Sequence, residues 1–155
     1  MNPLYLTLSI LLVRVVMGLR LVFPGWMMIQ MGPFSAKGYL ESIEGPFANF
    51  FRGLADNKVV DYLNKWALFL VGLALTFGIF VRLASYAGIL LMVLYWLSKW
   101  PHREGIIDER VVYIGVFLTL IMVNAGIWWG FDYLLLQIPP ILQFYQSHQW
   151  LQWVL

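Results

Sequence analysis

The 155-residue sequence contains no cysteine. This excludes disulfides, thiolate redox chemistry, Cys-ligated zinc and iron–sulfur clusters. Charge is also scarce. Ten Lys and Arg with eight Asp and Glu make only 12 % of the chain, about half of the ~25 % carried by a soluble domain. The net charge of +2 comes without a basic block, so no nucleic-acid partner is expected. The two imidazoles, His102 and His148, lie in a connecting stretch and in the tail. They do not face each other across helices as a haem pair requires, and both read as surface histidines. No Ser-His-Asp set, phosphate loop or metal-spaced carboxylate cluster occurs, so no metal, haem or cluster is expected.

What the chain does have is apolar surface: 61 % hydrophobic and 17 % aromatic residues, with a mean hydropathy of +0.76. A domain of this size has too much surface to hide so many apolar side chains from water. A soluble enzyme and a disordered regulator are thereby excluded, and the lipid bilayer becomes the expected partner. Runs of about 20 apolar residues cross about 30 Å of hydrocarbon as helices. Four such runs occur, at about 4–31, 59–81, 83–100 and 111–131. The expectation is one all-α transmembrane domain, a four-helix bundle. The first run lacks a basic leader and contains Arg14 and Arg20, so it reads as a retained span. Pro24-Gly25 is expected to kink or loosen it.

The connections differ in kind. Residues 33–57 form the long one, and Phe47, Phe50, Phe51 and Leu54 follow i, i+3, i+4, i+7 spacing. That pattern predicts a short interfacial helix with its aromatic face inward, an anchor or a lid. Pro33 and Pro46 are placed to begin short helices. Spans two and three meet in a tight hairpin at Gly78-Ile79-Phe80-Val81-Arg82. Spans three and four are joined by a polar stretch from Lys99 to Arg110. The tail, 133–155, is uncharged, broken at Pro139-Pro140, and expected along the membrane surface. Lys37, Arg52, Lys58, Lys65, Lys99, Arg103 and Arg110 gather on one side. The positive-inside rule makes that side, with loops 1–2 and 3–4, cytoplasmic and puts both termini outside.

An ionisable group within the bilayer is costly and is by default a functional candidate. Arg14 lies about 15 Å beyond Leu4, near the midplane of a straight span, and so needs a polar partner or a carbonyl-bearing ligand. With alternating helices, Asn124 is its best-placed neighbour and Asp132 its best-placed counter-charge. Arg20 points about 120° away, toward the side of Asp61, Glu104, Asp108 and Glu109. The small-residue pairs Ala74/Gly78, Ala84/Gly88 and Gly126/Gly130 would let helix backbones approach closely. Trp66, Trp96, Trp100, Trp128 and Trp129 fall near span ends, as aromatic-belt residues do.

The order of these motifs resembles the DoxX/DoxD family of small membrane proteins. Arg14-Val-Val-Met-Gly18 with Phe23-Pro-Gly25 is similar to the family's opening pattern. Val59 to Trp66, then Gly72 to Leu75, Gly78 and Arg82-Leu83-Ala84, resembles its second span and hairpin. Ala125 to Asp132 resembles its glycine-rich ending with a closing aspartate, so the likeness covers most of residues 5–135. The family's lysine after the first span has no counterpart at Met28 to Gln30, and Lys37 is the next lysine. The resemblance implies a four-helix protein of a prokaryotic plasma membrane. Some relatives are subunits of thiosulfate:quinone oxidoreductase, which implies a quinone-interacting subunit donating electrons to quinone beside a second oxidoreductase subunit. Arg14, Asn64, Asn124 and Asp132 would then contact quinone oxygens, with Trp26 and Trp66 packing on the ring. The alternative is a non-enzymatic membrane scaffold, assembly partner or small transporter. A transporter of only four helices would need a homodimer to enclose a path.

Overall fold

The computed structural model describes residues 3–32, 35–100, 105 and 107–148, and its regular structure is helical throughout. The first helix, α1 (Pro3–Gln30), runs unbroken through Pro24. The expected loosening at Pro24-Gly25 is therefore absent. A Cβ on Gly25 would lie 2.6 Å from the Phe69 backbone nitrogen. The Pro-Gly pair thus marks a close approach between helices, not an interruption.

That neighbour is α4 (Lys58–Phe77), opened by Asn57, whose side chain accepts from the Val59 amide. Gly18 and Gly72 complete the seam. Their added Cβ atoms would sit 2.7 Å from the Thr76 nitrogen and 2.6 Å from the Val22 nitrogen, respectively. Missing side chains let the two backbones touch, which multiplies dispersion contacts along the crossing. The seam is built from Gly18, Gly25 and Gly72 instead of the small-residue pairs expected from spacing. Of those pairs, Gly88 lies against the Phe117 ring.

The second apolar run ends earlier than expected, because Gly78 takes φ +73° and closes α4 as a left-handed cap. After it come α5 (Val81–Leu97) and α6 (Glu109–Met122), the latter capped by Asp108. Helix α5 packs between α4 and α6. The fourth run, expected as one span over 111–131, is not one helix. It stops at Met122, Asn124 takes φ +48°, a short turn covers Ala125–Ile127, and Trp129 takes φ +55°. At about 1.5 Å per residue, α6 rises only about 21 Å. The chain ends in α7 (Phe131–Leu136) and α8 (Pro139–Ser147). Pro139 opens α8 as its first residue instead of merely breaking the tail. Residues 149–155 of the tail and Pro33, Pro101 to Glu104 and Ile106 of the connections lie outside the described residues.

Two helices, Leu4–Gln30 and Lys58–Phe77, are long and apolar enough to cross a membrane, with mean hydropathies of 2.1 and 1.3, and Val81–Leu97 is a shorter apolar helix. The interior is apolar: Met17, Leu21, Leu75, Val81, Phe117 and Leu120 are buried together. The exterior is apolar too. Val16, Phe23 and Met27 on α1, Leu63, Leu70 and Phe77 on α4, Leu83 and Leu90 on α5, and Leu118 and Met122 on α6 are all exposed. So many exposed apolar side chains suit contact with lipid or another apolar partner better than contact with water.

The long connection folds into α2 (Lys37–Glu41) and α3 (Ala48–Arg52). Leu40, Ile43, Ala48, Phe51 and Ala55 form a second cluster that packs onto Val60 and Leu97, over the start of α4 and the end of α5. The aromatic face expected inward is only partly so. Phe51 is buried, whereas Phe47 and Phe50 are exposed, because α3 is too short to present the whole stripe to one side.

Candidate functional site: a buried arginine clamp

Arg14 is 1 % exposed, although it is a cation on a long apolar helix. Its solvation comes from backbone. Nη1 donates to the carbonyls of Ala125 at 2.8 Å and Trp128 at 3.3 Å, and Nη2 donates to the Trp129 carbonyl at 3.3 Å. A guanidinium carries its donors in a rigid fork, so several acceptors must converge on one plane. A continuing helix would spend those carbonyls on its own amides. This is the physical reason the fourth run breaks after Met122: the turn at 123–130 aims its carbonyls at Arg14.

Glycines make the enclosure possible. A Cβ on Gly78 would stand 2.7 Å from Arg14 Nη1 and 2.7 Å from the Gly130 Cα. One on Gly130 would stand 2.8 Å from Nη1 and overlap the Gly126 carbonyl. One on Gly126 would overlap the Asp132 carboxylate. The Gly126/Gly130 pair therefore lines a polar chamber instead of a helix seam.

Asp132 is fully buried and serves the other side of the chamber. Its Oδ1 accepts from the Phe80 amide at 2.7 Å and its Oδ2 from the Val81 amide at 3.1 Å, while its own amide donates to the Gly78 carbonyl at 2.9 Å. Phe80, at φ +48°, leads into α5 without a capping side chain of its own. Asp132 is that cap, supplied from 52 residues away, and its charge faces the positive end of the helix dipole. A sequence signal for this was present but silent about its partner. Residues 78–82 offer no Ser, Thr, Asp or Asn to begin a helix. Arg14 and Asp132 attract each other electrostatically, yet each bonds to backbone instead of to the other. Asn124 joins the chamber through its backbone conformation, and its Oδ1 is buried without a hydrogen-bond partner.

The remaining candidates lie elsewhere. Asn64 is on α4 about 21 Å before Gly78, and its Oδ1 accepts from the Tyr95 hydroxyl. Trp26 and Trp66 flank Phe69, with ring centroids 5.7 Å and 6.1 Å away. The six candidates thus divide into Arg14, Asn124 and Asp132 at one end and Asn64, Trp26 and Trp66 toward the other. Arg20 leaves the interior altogether. Its Nε donates to the Tyr113 hydroxyl at 3.0 Å and it pairs with Glu109 at 3.6 Å, both partly solvated.

For a quinone carbonyl, the first group is a poor fit. Nη1 and Nη2 of Arg14 already serve three carbonyls, and Nε, although it has no hydrogen-bond partner, is sealed in with them. The second group fits better. With Oδ1 engaged by Tyr95, the amide N–H groups of Asn64 remain as donors. Among the described residues, no three His, Asp or Glu side chains converge to hold a metal ion. No protein-family model matches the chain, and no curated protein or solved structure matches it.

Proposed function

We propose that this chain is an integral membrane protein of the DoxX/DoxD type, with α1, α4, α5 and α6 embedded in a prokaryotic plasma membrane. Its apolar exterior around a buried arginine supports that setting, because bilayer and core then make the same demand on every side chain. The proposed role is a quinone-interacting subunit of a membrane oxidoreductase of the thiosulfate:quinone kind, beside a second subunit. The observation that carries it is the half-buried Asn64–Tyr95 pair, a carbonyl-recognising group on the same helix as the Trp66–Phe69 ring contact. Electrons would reach the quinone from the partner subunit, since the chain's side chains include no thiol. Loops 1–2 and 3–4 are assigned to the cytoplasm and both termini to the outside.

The test is extraction. Protein purified after gentle solubilisation should release quinone to organic solvent in near-stoichiometric amount, and Asn64→Leu should release several-fold less while keeping the wild-type tryptophan emission. A second reading is favoured by the sealing of Arg14, the costliest residue in the chain, which then serves the fold alone. In that reading the protein is a non-enzymatic scaffold, assembly partner or small transporter. Absence of quinone from wild type, no turnover with thiosulfate plus quinone, and a stable co-purifying protein would establish it.

A further inference from the structure

A cleft of about 620 Å³ opens where α1 ends and α4 begins, with Lys37, Asp56, Lys58, Asp61, Tyr62 and Lys65 among its walls. Its volume lies within the ~300–1,000 Å³ typical of small-ligand sites. The charges in it are unevenly matched. Lys37 is spent on Asp56 at 2.7 Å and Glu41 at 3.7 Å. One oxygen of Asp61 accepts from the Ala36 amide at 2.7 Å. Lys58 and Lys65 pair with no carboxylate among the described residues, so their ammonium groups are left to take an anion. The two stand on one face of α4, since seven residues fall about 20° short of two turns. Lys65 rests over the Tyr62 ring at 4.6 Å, which fixes the ammonium without using its three N–H donors.

The cleft also sits at a particular depth. It straddles the passage from the polar connection to the apolar helix, and the exposed Trp26 and Trp66 lie just inside that boundary, where tryptophan favours the headgroup level. Beside them lie Met27 and Leu63, and beyond them Phe23 on α1 and Leu70 on α4, which leave an apolar surface for chains to lie on. A ligand suited to both parts has a phosphate at one end and hydrocarbon at the other. We propose that Lys58 and Lys65 hold the phosphate of an anionic phospholipid in this cleft, with its acyl chains along α1 and α4. Basic pockets at the cytoplasmic ends of helices recognise anionic headgroups in this way. The proposal rests on the membrane-embedded reading above and is independent of the quinone role.

Native mass spectrometry of the full chain in detergent, titrated with phosphatidylglycerol or phosphatidylcholine, tests it. Wild type should prefer phosphatidylglycerol. A Lys58→Gln/Lys65→Gln double variant should lose about 30-fold in that affinity, at ~fivefold for each lysine–phosphate contact. Lys58→Arg/Lys65→Arg should restore it, and Lys99→Gln, on the same side but outside the cleft, should leave it unchanged. Equal binding of the two lipids, or undiminished phosphatidylglycerol affinity in the double Gln variant, overturns the proposal. So does displacement by inorganic phosphate without any lipid preference, which assigns the site to a soluble anion. A chain that fails to partition into bilayers refutes the membrane reading itself, whereas partitioning without lipid preference refutes only this site.

Discussion

Replacing Arg14 with leucine separates a clamp from a ligand site. The substitution removes three hydrogen bonds, to the buried carbonyl of Ala125 and to the part-buried carbonyls of Trp128 and Trp129. Each unmet buried acceptor costs about 1–3 kcal/mol. Against this stands the relief of no longer holding a desolvated guanidinium, itself several kcal/mol. Removing one member of a buried charged network nets about 3–5 kcal/mol of destabilisation in comparable cases. Asp132 then also loses the opposite charge of Arg14. At about 3 °C per kcal/mol for a chain of this length, the melting temperature should fall by about 9–15 °C. Tryptophan fluorescence during a thermal ramp in detergent reads this directly, with eight tryptophans as reporters. Arg20→Leu is the internal control. It loses an exposed pair with Glu109, worth about 0–1 kcal/mol, so its melt should move by at most about 3 °C. Indistinguishable melts for Arg14→Leu and Arg20→Leu would falsify the clamp. A residue kept only to bind a ligand gives that outcome when no ligand is present.

Three further substitutions probe the same architecture. Gly130→Ala introduces a Cβ that overlaps the Gly126 carbonyl and crowds Arg14. Overpacking of that kind costs about 1–3 kcal/mol or more, so the melt should drop by at least about 3–9 °C. Gly115→Ala, which meets nothing within 4 Å, should instead hold or raise it, and the reverse order would contradict the chamber. Asp108→Ala removes the cap on Arg110 and Val111 and should cost about 1 kcal/mol. Burial pushes the Asp108 carboxyl up, but Arg110 and the Val111 and Arg110 amides outweigh it and hold the group below its ordinary value. A carboxylate depressed in the folded state contributes stability above its unfolded pKa, about 3.9, and loses it as pH falls through the lower folded value. The melt of wild type should therefore decline below about pH 4 more steeply than that of Asp108→Ala. Parallel curves would remove Asp108 from the cap.

The helices were legible because apolar runs and caps are local. Asn57 and Asp108 stand where an N-cap is needed, and Gly78 stands where a left-handed residue must end α4. Arg14 was legible as an anomaly for the same reason, since its cost follows from its own position. Its partners were not. Spacing pointed to Asn124 and Asp132 side chains, but the acceptors are main-chain carbonyls, which every residue carries and no letter of the sequence marks. The end of α6 was hidden with them, because Val111 to Phe131 carries no charge and reads as one apolar run, and the demand from α1 breaks it. The cap on α5 likewise depends on a fold already formed. The glycines were visible as a class but not by role: Gly18, Gly25 and Gly72 bring helices together, while Gly78, Gly126 and Gly130 make room for a charge.

The clamp also orders events in time. Arg14 emerges from the ribosome 111 residues before the first carbonyl that satisfies it, and α5 precedes its cap by about 50. Synthesis runs at about 5–20 residues per second, so the arginine waits several seconds or longer in apolar surroundings without its native acceptors. Water or some other polar group must solvate it meanwhile. The last segment of the chain is therefore what allows the first helix to settle. A polypeptide ending before Ala125 lacks every carbonyl to which Arg14 donates, so its first helix keeps a charge with no native acceptor.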